Sequence, residues 1–237
     1  MLDIHSHVRY EDGEYNIQEV LEDQKKFNIE KRVISSINGK DIKENNRAIN
    51  QLVAENPSQL IGCAVINPKL DSAIFDVEDA LSLENIQMFE FNSFEHGYYP
   101  DTEALVGPVI EKIAQANKII KVFVGIGAHS VPQQWEKYVE KYPNTPFIFL
   151  HMGCFDYGYT CIEVAKRNPN IYLEISNQYE IQILKKCLKE IEPSRILFGT
   201  TYPERLSISS INIFDIFNLK EEEKSAIFND NAKKIIT

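Results

Sequence analysis

Met1-Leu2-Asp3-Ile4-His5-Ser6-His7 opens the chain as a short apolar run that ends in a His-x-His pair. In an extended strand, residues i and i+2 project to the same face. His5 and His7 therefore leave the strand side by side, two imidazoles able to begin a grip on one divalent ion. After this first strand, at Leu2–His5, the same punctuation repeats. Short β-like runs at Arg32–Ser36, Leu60–Val65, Ile86–Phe91, Ile119–Val124, Phe147–Leu150, Ile171–Ile175 and Arg195–Phe198 alternate with helical patterns. Those patterns lie at Ile17–Phe27, Ile42–Asn56, Asp71–Leu83, Thr102–Ala116, Pro132–Lys141, Tyr159–Asn168 and Ile181–Ile191, with two more, Ser207–Phe217 and Lys220–Phe228, after the last strand. Asn56-Pro57, Asn144-Thr145-Pro146 and Asn168-Pro169-Asn170 mark turns at the joins. Strands separated by helices in this way pair in parallel through right-handed crossovers. The length of 237 residues is close to the ~250 of a closed eightfold unit. The reading is an α/β chain folded as a single (β/α)8 TIM barrel over residues 1–237. An open doubly wound sheet is the alternative. A dinucleotide-binding version of that sheet lacks the GxGxxG expected after the first strand.

Composition narrows the partners. At 43% hydrophobic residues there is material for a large core. A net charge of −10 disfavours a nucleic-acid partner. No apolar run approaches the ~18 residues of a membrane span, and no signal-peptide pattern is visible. Cys63, Cys154, Cys161 and Cys187 are widely spaced and form no CxxC, which fits reduced thiols in a cytoplasmic chain. A small-molecule substrate is the expected partner, and a homo-oligomer is left open.

In such barrels chemistry sits at the C-terminal ends of the strands. Strand one brings His5 and His7 there, strand two Ser35 and Ser36, strand three Asn67. In Ile86-Gln87-Met88-Phe89-Glu90-Phe91-Asn92 the period of two sends Phe89 and Phe91 outward against helices and Glu90 and Asn92 into the barrel mouth. Strand six ends in His151, strand seven shares Tyr172, Glu174 and Ser176 on one face, and strand eight runs into Gly199-Thr200-Thr201-Tyr202-Pro203. His5, His7, Glu90, His151 and Glu174 thus converge on one rim. His96 and His129 fall on loops and read as rim or solvent-facing side chains, and Trp135 reads as packing.

Three segments resemble the amidohydrolase superfamily, in the amidohydrolase-related branch that includes aminocarboxymuconate-semialdehyde decarboxylase-like enzymes. They are Asp3-Ile4-His5-Ser6-His7, Leu150-His151-Met152-Gly153 and Arg195-Ile196-Leu197-Phe198-Gly199-Thr200-Thr201-Tyr202-Pro203, and Asn231-Ala232 in the tail looks like the branch's closing motif. The resemblance implies a barrel binding one or two divalent metals through the strand-one histidines, a strand-five histidine and a strand-eight aspartate, with the strand-six histidine nearby. Two of those positions depart from the pattern. Gly125 stands where the strand-five histidine is expected, and Thr201 where the aspartate is expected. A threonine hydroxyl is not ionised at neutral pH and replaces an aspartate poorly as ligand or base.

The leading expectation is a metal-dependent hydrolase, with a decarboxylase-like version beside it. Zinc, or else manganese, would be held by His5, His7, Glu90 and His151. Glu90 or His151 would carry the proton work, and Asn92, Glu174 and Thr201 would face substrate. The alternative is a catalytically inactive barrel that has lost the metal and keeps a ligand-binding or interaction role. A barrel of the polymerase-and-histidinol-phosphatase type also begins with His-x-His, but should carry an Asp-His pair after strand two, and Val33-Ile34-Ser35-Ser36-Ile37-Asn38 has none.

Overall fold

The computed structural model describes residues 1–36, 38–39 and 41–236. Eight parallel strands run β1 (Leu2–His7), β2 (Lys31–Ser35), β3 (Leu60–Val65), β4 (Ile86–Phe91), β5 (Ile119–Phe123), β6 (Phe147–Leu150), β7 (Ile171–Glu174) and β8 (Ile196–Leu197). Each pairs with its sequence neighbours. The circle closes through β1 and the segment after β8. Ile4 N donates to Phe198 O (3.0 Å), Thr201 N to His5 O (2.8 Å) and His7 N to Tyr202 O (2.7 Å). The fold is therefore the expected (β/α)8 barrel.

Helices α1 (Ile17–Lys26), α2 (Ile42–Glu55), α3 (Ala73–Leu81), α4 (Glu103–Gln115), α5 (Gln133–Lys141), α6 (Gly158–Arg167) and α7 (Ile181–Glu190) fill the crossovers, followed by α8 (Ser207–Asn212), α9 (Glu221–Ser225) and α10 (Asn231–Ile236). Among the described residues no helix is long and apolar enough to cross a membrane. Alternation sorts each strand into two faces. Phe89, Phe91, Ile120, Val122, Phe147 and Phe149 point outward into the shell shared with the helices, where Phe91 packs on Trp135 with ring centroids 5.9 Å apart. Leu2, Ile4, Val33, Ile61, Met88, Ile119, Ile148 and Leu197 fill the barrel's lower interior, which Ala232 of α10 helps to close.

The elements differ from the sequence reading at their ends. β1 runs on through His7 instead of stopping at His5, and β8 keeps only Ile196–Leu197, because the chain then leaves the ladder to bond with β1. A small hairpin, Tyr10–Glu11 with Glu14–Tyr15, follows β1 and turns at Asp12-Gly13, where both residues have positive φ. A single helical turn, Ser93–His96, follows β4, capped by Asn92, whose side chain accepts from Glu95 N at 3.0 Å. The expected helix at Lys220–Phe228 divides into α9 and a wider π-type turn, Ala226–Asp230.

Candidate active site

β1 does not keep a strict alternation. Asp3 pairs with Arg32 and Ser6 with Ile34, so the register slips between them. Leu2 and Ile4 belong to the barrel interior, yet His5 and His7 also line the cavity at its mouth. The slip is the local device that swings the histidines to the inner side, as bulges beside active sites do. Asp3, behind them, is pinned by Arg32 Nε (2.9 Å), Thr200 Oγ1 (2.6 Å) and the backbone N–H groups of His5 and Thr200 (both 3.1 Å).

The cavity at the C-terminal ends of the strands measures about 440 Å³. His5, His7, Glu90, His151 and Thr201 line its floor, Phe94, Phe123 and Phe155 its sides, and Glu204 and Arg205 its edge. Asn92 lines it too, although its side-chain oxygen is committed to the helical turn. His5 lies 4.8 Å from His7 and 5.1 Å from His151 between ring centroids. One donor atom each from His5, His7 and Glu90 lies within 4.8 Å of the others, and the same holds for His5, His151 and Glu174. All five side chains are buried.

Glu90 is the electrostatic centre. Its Oε2 accepts from Ser35 Oγ (2.9 Å) and from the buried Lys121 ammonium (3.0 Å), while Oε1 faces His7 Nε2 at 3.2 Å. Burial opposes its charge, but the cations of Lys121 and His7 outweigh that and hold its carboxyl well below the usual range. Lys121 stays cationic despite complete burial, because its ion pair with Glu90 more than offsets desolvation. His7 is clamped between two carboxylates, Glu90 and Glu204, whose Oε2 is 2.9 Å from Nδ1. Burial works against its cation, and the two acids still raise its pKa to about 9. Glu204 is in turn lowered to about 2, since His7 and Arg9 overcome its partial burial.

The other two histidines are neutral. Burial, assisted by Lys121, pushes His5 well below its usual range, and burial, assisted by His7, pushes His151 down to about 3. Burial raises Glu174 to about 7, against hydrogen bonds from the backbone N–H of His151 (2.9 Å) and from Ser176. Gly199 leaves room for that carboxylate, since a Cβ there would lie 2.2 Å from Glu174 Oε1. His151 (φ 61°), Asn177 (φ 63°) and Thr201 (φ 54°) sit on the rim in the left-handed region, which costs non-glycine residues roughly 1–3 kcal/mol each and collects at functional sites.

His5 Nδ1 is the test of a metal here. It is buried and has no hydrogen-bond partner among the described residues, and it lies 3.7 Å from Glu90 Oε2. An orphaned imidazole nitrogen beside a second histidine and a carboxylate fits a divalent ion with mixed nitrogen and oxygen ligands. The position expected to supply a strand-five ligand offers nothing. Gly125 has no side chain, and a Cβ built on it would lie 3.0 Å from both O and Sγ of Cys154. His129 turns away and packs edge-on against Tyr99, with centroids 4.4 Å apart.

Several site residues escaped the sequence reading. Lys121 was within reach, because the alternation that sends Ile120 and Val122 outward sends Lys121 inward. Cys63 follows by the same rule on β3. Glu204 carries no such signal, as it lies on an irregular loop beyond the cis Tyr202-Pro203 bond.

Eight parallel strands with a histidine pair on β1 and acids on β4 and β7 define an amidohydrolase-type barrel. The family profile described as amidohydrolase matches residues 27–236, and the chain belongs to that family. The matched stretch begins after β1, so His5 and His7 stand on the geometry alone. No curated protein sequence matches the chain. Among solved structures it is similar to 5-carboxyvanillate decarboxylase from Sphingomonas paucimobilis (TM-score 0.74, 16% identity, 92% of this chain and 82% of that one). It is also similar to 2,6-dihydroxybenzoate decarboxylase from Rhizobium (TM-score 0.75, 14% identity, 99% and 98% covered). A third is 5-carboxyvanillate decarboxylase from Novosphingobium aromaticivorans, complexed with manganese and 4-hydroxy-3-methoxy-5-nitrobenzoic acid (TM-score 0.72, 14% identity, 92% and 79% covered). At these identities the likeness is one of fold.

Proposed function

We propose that this chain is a divalent-metal enzyme that acts on a small planar carboxylate, by loss of CO2 or by hydrolysis. The observation that carries the reading is the meeting of His5, His7 and Glu90 donor atoms within 4.8 Å on the cavity floor. The orphaned His5 Nδ1 needs the partner that an ion would provide. Zinc or manganese suits this donor set, and manganese is the ion named in one similar decarboxylase structure. A divalent ion there supplies Lewis-acid polarisation of a substrate oxygen.

The chain's own residues divide the remaining work. Ser35 and Lys121 occupy Glu90 Oε2, so Glu90 offers Oε1 as a single-point ligand. Ion binding would release the Nε2 proton that His7 shares with Glu90 Oε1, and Glu204 would then orient the ring from Nδ1, the arrangement usual behind a ligating histidine. Phe94, Phe123 and Phe155 supply flat apolar walls for a planar substrate. Arg205 is held at the mouth by Asn177 Oδ1 (2.8 Å) and Glu204 O (3.0 Å), where its guanidinium can pair with a carboxylate.

A second reading, a barrel that binds but does not react, draws on the Lys121–Glu90 ion pair and on Thr201. The ammonium already neutralises the acid, and the threonine supplies no base. Metal analysis of the purified protein beside a His5→Ala/His7→Ala variant separates the two. The proposal expects near-stoichiometric zinc, manganese or iron in the unmodified protein and its loss in the variant. It also expects turnover of hydroxybenzoates or of small carboxylated lactones by the loaded protein. No metal uptake, even after incubation with zinc and manganese, would sink it in favour of the second reading.

A further inference from the structure

Behind His151 the hydrogen-bond protons can be counted. Ser176 lies two residues past Glu174, beyond the end of β7, and is fully buried. Its Oγ is 2.8 Å from Glu174 Oε2, 2.9 Å from His151 Nδ1 and 2.6 Å from Thr201 Oγ1. A serine hydroxyl has one proton to give and two lone pairs to receive with. Glu174 Oε1 already accepts from Ser176 N (2.6 Å) and Oε2 from His151 N (2.9 Å). In its ionised form Glu174 can only accept, so the single Ser176 proton then goes to Oε2. Both remaining neighbours must then donate to Ser176. Thr201 gives its hydroxyl proton, and His151 gives a hydrogen from Nδ1. The direct Thr201–His151 contact, at 3.5 Å, is too long to compete.

A neutral imidazole carries one hydrogen. With that hydrogen on Nδ1, the lone pair is on Nε2, and His151 lines the cavity. We infer that Ser176, backed by Glu174, is a positioning residue that fixes His151 as its Nδ1–H tautomer and turns Nε2 into an acceptor for a hydroxyl or water of the substrate. A fixed acceptor at this point favours substrates with a hydroxyl near the reacting group, and a histidine held by one partner is aimed as well as protonated. The substrate-facing part of this inference rests on the proposed function, and the tautomer does not.

Nitrogen-15 NMR of the metal-free protein, labelled at its 5 histidines and assigned through single-histidine variants, reads the tautomer directly. The spectrum is recorded near pH 9, above the value of about 7 to which burial raises Glu174. His151 in the unmodified protein should show hydrogen on Nδ1. Ser176→Ala should move the population towards Nε2–H, Ser176→Thr should restore the original pattern, and Thr201→Val should leave it unchanged. Nε2–H in the unmodified protein, or an unaltered tautomer in a folded Ser176→Ala, would overturn the inference. Should Ser176→Ala fail to fold, the unmodified spectrum decides by itself. Because no metal is present, a negative metal analysis removes the proposed function and leaves this test standing, and the reverse also holds.

Discussion

At the residue scale the site is a set of substitutions whose consequences differ. Gly125 and Thr201 depart from the resembled pattern, and the structure separates a missing side chain from an occupied space. Cys154 O and Sγ would each stand 3.0 Å from a Cβ at Gly125, so the loop after β6 has closed over the place where a strand-five ligand would project. Gly125→His should therefore give no gain in metal affinity, measured by competition with a chromogenic chelator, and should destabilise by about 1–3 kcal/mol, the usual effect of overpacking. Glu90 is the opposite case, a residue with too many partners to remove. Glu90→Gln takes the anion away from the buried Lys121 and should destabilise by roughly 3–5 kcal/mol in urea unfolding, as breaking one side of a buried ion pair does. The same variant should no longer retain metal through gel filtration. The inward course of Glu90 was legible from the period of two on β4. That of Lys121 was equally legible on β5, but a lysine inside a barrel is expected only once its acid is known. Glu204 was not legible, because a loop residue takes its direction from packing rather than from periodicity.

At the element scale the sequence pattern located every barrel strand and most helix bodies, since apolar alternation and turn residues act within a few positions. It could not locate the slip in β1, because register depends on the partner strand. That slip lets Leu2 and Ile4 fill the interior while His5 and His7, on the opposite parity, still reach the cavity. What holds the slipped strand is a buried polar knot. Arg32 on β2 donates to Asp3 Oδ2 (2.9 Å), Asp23 Oδ2 (2.8 Å), Ser207 Oγ (3.1 Å) and Val20 O (3.2 Å), joining β1, β2, α1 and α8. Arg32→Met should lower unfolding stability by about 3–5 kcal/mol, because Asp3 is left as a buried charge without its cation. It should also weaken metal binding, since Asp3 Oδ1 is what holds the His5 N–H. Arg47, which pairs with Asp79 at the surface, is the control, and Arg47→Ala should leave both measurements unchanged. If Arg32→Met proved as stable as the unmodified protein, the knot would not be what fixes the strand.

At the scale of the whole molecule, the two ends of the barrel do separate jobs. The rim side gathers the titratable groups, while the opposite end is closed by the tail. Asn231 Nδ2 donates to Pro193 O (2.6 Å) and Ile196 O (2.9 Å), which fastens α10 to the start of β8, and Ala232, Ile235 and Ile236 pack under Leu2 and Ile4. The Asn-Ala pair was visible in the sequence, but its purpose was not, since a cap on the barrel floor has meaning only once the floor exists. Asn231→Ala removes a buried donor and leaves two carbonyls short of a partner, at roughly 1–3 kcal/mol for each that water does not reach. The urea midpoint should fall accordingly. Metal affinity and the His151 tautomer should stay as they were, because among the described residues the Asn231 side chain bonds only Pro193 and Ile196, away from the rim. A loss of metal affinity in a folded Asn231→Ala protein would show instead that the tail sets the geometry of β1 and β8 as far as His5 and Thr201. The two ends would then have to be treated as one coupled unit.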